Sequence, residues 1–127
     1  MKLFEIENII KQLQIPNFRG IFLRDQLPTK PNSTECGIIH SHTSKEDIDS
    51  VGHWSAYYKK NDKKYYFCPF GGDPYDELKQ YLGLPILVHN FKIQEFDEAC
   101  CAEYSITFLL FMNKRLSYED VVLFLVR

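Results

Sequence analysis

Apolar residues recur at helical spacing near the start of the chain. Leu3, Ile6, Ile9, Ile10 and Leu13 lie within Lys2 to Leu13 and predict an amphipathic helix, which Pro16 stops. The period then shortens. Phe18 to Leu23 predicts a short strand, closed by Arg24-Asp25 and the Leu27-Pro28 break, and the polar stretch from Pro28 to Glu35 reads as a surface loop. Cys36 to His40, C-G-I-I-H, predicts a second strand. After an acidic loop from Lys45 to Ser50, Trp54 to Tyr58 and Lys63 to Phe67 are β-prone aromatic runs around Asn61-Asp62, a hairpin pattern. Cys68 to Pro74, C-P-F-G-G-D-P, must turn sharply. Tyr75 to Leu82 fits a short helix ended by Gly83, and Pro85 to Val88 has strand character.

The stretch from Ile93 to Met112, I-Q-E-F-D-E-A-C-C-A-E-Y-S-I-T-F-L-L-F-M, is a polar turn opening into an apolar helix. From Cys101 onward, Tyr104, Ile106, Phe108, Leu109, Leu110 and Phe111 cover so much of its circumference that it should be buried on most sides, hence central. Ser117 then caps a last helix with Glu119 and Asp120 in its first turn, where the macrodipole prefers acids. The order predicts an α+β fold, with a mixed or antiparallel sheet packed against the central, cysteine-bearing helix.

Composition bounds this picture without changing it. A chain of 127 residues, 45% hydrophobic and 25% charged, suits a single domain over residues 1–127 with a real core. A net charge of −2 gives no basis for a phosphate-binding surface, so nucleic acid is not expected as a partner. The basic tip made by Lys59, Lys60, Lys63 and Lys64 reads as a solvated hairpin loop. The four cysteines are Cys36, Cys68, Cys100 and Cys101. The last two are sequence neighbours, a poor geometry for a disulfide, so reduced thiols and a reducing compartment are expected. The first residues carry acids inside their apolar stretch, unlike a secretory signal. No apolar run approaches membrane-spanning length, and no membrane partner is expected.

Candidate chemistry gathers at the central helix. A cysteine in its first turn meets unpaired backbone N–H groups and the positive end of the macrodipole, which stabilise a thiolate. His53, in V-G-H-W-S-A-Y-Y, is a candidate base, and the amide of Gln94 could donate to a developing oxyanion. The bland alternative is that Cys100 and Cys101 are small buried fillers, the usual fate of free cysteine. His40 and His42 alternate as two metal ligands could, but a pair without a third neighbour is weak, and neither a metal nor a cofactor is expected.

The order His53, Gln94, Cys101, with seven residues from glutamine to cysteine, resembles that of the adenovirus-type (adenain-like) cysteine proteases of DNA viruses, virophages and related transposons. The resemblance runs nearly end to end, through P-N-F-R-G-I-F-L-R-D-Q-L-P, E-C-G-I-I-H, G-H-W, F-C-P-F-G and Q-E-F-D-E-A-C-C. It implies a papain-like core of the adenain and ubiquitin-like-modifier-protease type. Cys101 would be the nucleophile, His53 the general base and Gln94 an oxyanion donor with the backbone N–H of Cys101, while Trp54 either walls the substrate cleft or is a core aromatic. A separation of six would select Cys100 instead, but the downstream pattern favours Cys101. Two positions depart from the family. Ala102 stands where the family has glycine, and Cys68 occupies the place of the carboxylate or amide that orients the histidine. Asp73 could substitute for it; otherwise a Cys–His dyad would operate with water or a backbone carbonyl. The implied role is a viral maturation endopeptidase cutting capsid or scaffold precursors at glycine-containing sites, a monomer found in host cytoplasm or nucleus and in the virion. The alternatives are an isopeptidase removing a ubiquitin-like modifier, and a catalytically inactive protease fold serving as a binding or assembly protein.

Overall fold

Alternation in the aromatic runs sets the architecture, because successive side chains of a strand leave on opposite faces. The computed structural model describes residues 1–50, 52–89, 98–114 and 116–126, with the backbone alone for 98–100 and 126. Its sheet has four strands in the order β1 (Phe18–Leu23), β2 (Thr34–His40), β3 (Trp54–Lys60) and β4 (Lys63–Phe67). The first pair is parallel and the other two are antiparallel, so the sheet is mixed. Among the described residues four helices accompany it: α1 (Leu3–Leu13), α2 (Asp76–Leu82), α3 (Glu98–Met112) and α4 (Tyr118–Val126). The fold class is α+β, as the element order predicts.

Both faces of the sheet are buried. Cys36, Ile38, Trp54, Ala56, Tyr58 and Phe67 point to the core shared with α1, α3 and α4, where Phe67 stacks on Phe108 with ring centroids 4.9 Å apart. Ile39, Tyr57, Tyr66 and Cys68 point the other way, against Leu78 and Leu82 of α2. Full burial of one large apolar side chain contributes roughly 1.5–3 kcal/mol, so the α3 layer carries much of the stability. Within α3, Cys101, Ala102, Ser105, Ile106, Phe108, Leu109 and Met112 are buried and Tyr104, Leu110 and Phe111 partly so, which matches the wide apolar circumference in the sequence.

The α2 face has a polar centre. The fully buried Glu35 carboxylate accepts hydrogen bonds from the Tyr57 hydroxyl, the Tyr81 hydroxyl (2.8 Å), Arg19 (3.2 Å) and the backbone N–H of Asn32 (2.6 Å). One carboxylate thereby ties β1, β2, β3 and α2 together. Gly37 faces Tyr57 across the β2–β3 ladder, and a Cβ there would lie 2.7 Å from the Tyr57 ring, so the ring needs that glycine.

Local signals end the elements where expected. Gly83 terminates α2 at φ 78, and Ser117 Oγ accepts from the N–H of Asp120 at the start of α4. Two expectations are corrected. Strand β2 begins at Thr34 rather than Cys36, because Thr34 and Glu35 pair with Lys60 and Lys59 and shorten the loop. Pro85 to Val88 forms a single parallel bridge, Leu87 to Tyr65, with hydrogen bonds from Tyr66 N to Leu87 O and from Leu87 N to Lys64 O. Proline lacks the N–H that a longer ladder would use.

Candidate active site

Histidine 53 enters the site through its backbone. It precedes β3, and Ser41 holds it at both ends of its peptide unit: His53 N–H donates to Ser41 Oγ (3.1 Å) and its carbonyl accepts from Ser41 N–H (3.0 Å). Gly52 makes room, since a Cβ there would lie 2.5 Å from His40 Cε1 and 2.8 Å from Ser41 Oγ. The G-H-W motif is thus a packing requirement at the end of the sheet.

Cys101 lies in the first turn of α3, is not in a disulfide and is fully buried. Its Sγ accepts a hydrogen bond from the backbone N–H of Trp54 at 3.2 Å. Thus the sulfur is docked on the residue that follows His53. Ser105, one turn further along α3 and also buried, donates to the carbonyls of Cys101 (2.9 Å) and Trp54 (3.3 Å), clamping the helix start to the strand start. The Trp54 N–H and the helix N-terminus both place positive partial charge at the sulfur, an environment suited to a thiolate, while complete burial acts against the charge.

On its other side, the imidazole of His53 meets Tyr75. Its Nε2 lies 3.2 Å from the Tyr75 hydroxyl, and its ring stands edge to face with Phe70 at 5.3 Å. Burial, before the nearby thiols of Cys68 and Cys101, pushes the Tyr75 phenol well above its ordinary range, so it is a neutral hydroxyl at physiological pH. Opposing this, the Arg24 charge and a hydrogen bond from Ser55 favour the phenolate. Arg24 lies 4.5 Å from the centre of the Tyr75 ring and forms a bidentate pair with Glu77, at 2.9 to 3.2 Å.

Tyr75 links these residues: its hydroxyl meets His53, the thiols of Cys68 and Cys101 lie near it, and the Trp54 N–H holds the Cys101 sulfur. Cys68 is buried beside Tyr75, and its Sγ would lie 3.7 Å from a Cβ at Gly72. Asp73 is exposed on the turn. Trp54 is only 3% exposed, packs into the core and donates its indole N–H to the Met1 carbonyl (3.3 Å), which is the core-aromatic alternative for that side chain. Gln94, and Asp97, which the sequence suggests as a cap for the central helix, lie outside the described residues. Tyr75, Ser105 and Arg24 are not singled out by sequence. Tyr75 reads there only as the opening of a helix, and no spacing rule links it to residue 53.

His40 lines the same end of the sheet, buried against Trp54 with ring centroids 4.3 Å apart. Its Nδ1 accepts from the His42 N–H (3.1 Å), and His42 Nδ1 lies 3.1 Å from Glu46. Among the described residues no group of three His, Cys, Asp or Glu could hold a metal ion. Burial first, then the neighbouring imidazoles of His42 and His53, lower His40 to about 4 from an ordinary 6.5. Between those values the unfolded chain binds a proton that the folded chain refuses, so stability declines as pH falls from 6.5 towards 4. The loss expected is of order 2–3 kcal/mol. Urea midpoints at pH 7 and pH 4.5 check it: the ring-preserving His40→Phe should lose distinctly less stability over that interval than wild type. Equal losses would mean that another group causes the acid sensitivity.

No family model matches the chain, and no curated protein matches it in sequence.

Proposed function

We propose that this chain is a cysteine endopeptidase with a papain-like, adenain-type core. The observation that carries the reading is the hydrogen bond from Trp54 N–H to Cys101 Sγ, which docks a helix-start thiol against the residue adjoining His53. In this mechanism His53 takes the Cys101 proton and the thiolate attacks the substrate carbonyl. Imidazolium then returns the proton to the leaving amine, and water releases the acyl group. Gln94 is assigned to the oxyanion from its sequence position alone, with the backbone N–H of Cys101 as the second donor. The proposed substrates are capsid or scaffold precursors cut at glycine-containing sites, with the protein acting as a monomer in host cytoplasm, nucleus and virion. These details rest on the sequence resemblance to viral maturation proteases.

One observation favours a second reading. Cys101 is fully buried, as a structural thiol in a catalytically inactive binding or assembly protein would be. Incubating wild type and Cys101→Ala with capsid-precursor polypeptides and with Gly-Gly fusions to a ubiquitin-like modifier separates the cases. Precursor cleavage by wild type alone supports the endopeptidase, and cleavage confined to the fusions indicates an isopeptidase. With neither cut, the binding protein is the better reading.

A further inference from the structure

A general base must keep one ring nitrogen unprotonated towards the group it deprotonates, which requires that the other nitrogen hold its proton in a defined hydrogen bond. In papain-like chemistry a carboxylate or amide supplies that acceptor. Here Cys68 stands at the expected position and Asp73 is exposed, while among the described residues the Tyr75 hydroxyl lies within hydrogen-bond distance of His53 Nε2, at 3.2 Å.

We infer that Tyr75, held by the Arg24–Glu77 pair, is the positioning residue that keeps a proton on His53 Nε2 and leaves Nδ1 to receive the proton of Cys101. The inference rests on the cysteine–histidine reading above and names a member of the site that the sequence leaves open. The 3.2 Å contact admits either donor, and the tautomer sets the direction. With His53 Nε2–H donating to the Tyr75 oxygen, the phenol turns its own hydrogen away from the imidazole. A neutral phenol oxygen does this without bringing a full negative charge into a buried site, where a carboxylate would need a further counter-charge.

Arg24 explains why the ring stays in place. Its guanidinium lies over the ring face at 4.5 Å, and both oxygens of Glu77, from the first turn of α2, hold it there. Tyr75 is itself the N-cap residue of α2, so the helix start, the ion pair and the ring move as one unit. Among the described residues, the Tyr75 hydroxyl meets His53 Nε2, the His40 imidazole is near enough to feel its charge, and the thiols of Cys68 and Cys101 lie near Tyr75. His40 is neutral at working pH, so it does not compete for the proton.

Ring nitrogen-15 shifts of His53, followed by NMR across pH 4–9 in the full chain, test the inference without needing a substrate. In wild type the neutral ring should be predominantly protonated on Nε2. Tyr75→Phe should raise the Nδ1-protonated population and lower the imidazolium pKa by about one unit, as for loss of one hydrogen bond to a charged group. If cleavage is measurable, kcat should fall roughly tenfold or more with KM little changed. An unchanged tautomer ratio and titration in Tyr75→Phe overturns the inference. Should that variant fail to fold, Arg24→Met decides: a shift in the same direction supports the clamp, and wild-type behaviour refutes it. Cys101→Ala tests the underlying reading separately. If removing the sulfur leaves the His53 titration untouched, the cysteine–histidine pair itself is absent, whatever Tyr75 does.

Discussion

His53→Ala is expected to lower kcat/KM on a cleaved precursor by roughly 10²–10⁴-fold, the contribution usual for a positioned acid–base group. Folding should be nearly unaffected. The anchors of residue 53 are its backbone bonds to Ser41, which alanine retains. The ring contributes the Phe70 contact and the Tyr75 hydrogen bond, and it is only partly buried, so a stability loss of about 1 kcal/mol is expected. Steady-state kinetics alongside thermal unfolding separates the two effects. Comparable turnover in wild type and variant would remove His53 from the mechanism. A collapse of the folded state would instead assign the imidazole to the structure. Selectivity for the imidazole is the point of the experiment, since G-H-W also packs the end of the sheet through Gly52 and Trp54.

Glu35→Ala is the substitution expected to damage folding most, by about 3–5 kcal/mol, the usual result of removing one partner from a buried charged pair. Four donors lose their acceptor at once: the Tyr57 and Tyr81 hydroxyls, the Arg19 guanidinium and the Asn32 N–H. Tyr57 is completely buried, and burial followed by the Glu35 hydrogen bond raises its phenol far above the ordinary range, so it remains a proton donor in need of a partner. A small domain has roughly 5–15 kcal/mol in hand, so the urea midpoint should fall by about a fifth or more. A change below about 1 kcal/mol would show that water or a shifted side chain satisfies the orphaned donors. Glu35→Gln keeps an acceptor and should recover part of the loss.

These two positions differ in how much of their role is legible in the sequence. His53 follows a glycine and opens an aromatic strand, so its candidacy as a base can be read from neighbours. Glu35 reads as the end of a polar loop. Its burial follows from the parallel β1–β2 pair and from α2 covering the opposite face of the sheet, both of which depend on residues far away. Tyr75 is a similar case. Helix-start chemistry is visible there, but its contact with a side chain 22 positions earlier is not.

The amino-acid order alone determined what local chemistry controls: the α+β class, the hairpin at Asn61-Asp62, the helix stop at Gly83 and start at Ser117, the broadly apolar helix and the reactive residue types. Period, propensity and capping act over a few residues and are written where they act. Tertiary structure decided what meets what: two buried sheet faces, the docking of Cys101 Sγ on the Trp54 N–H, and a tyrosine beside the imidazole. Such pairings depend on strand register and on which helix covers which face. Those are settled by the summed packing of the whole chain, so no short segment records them.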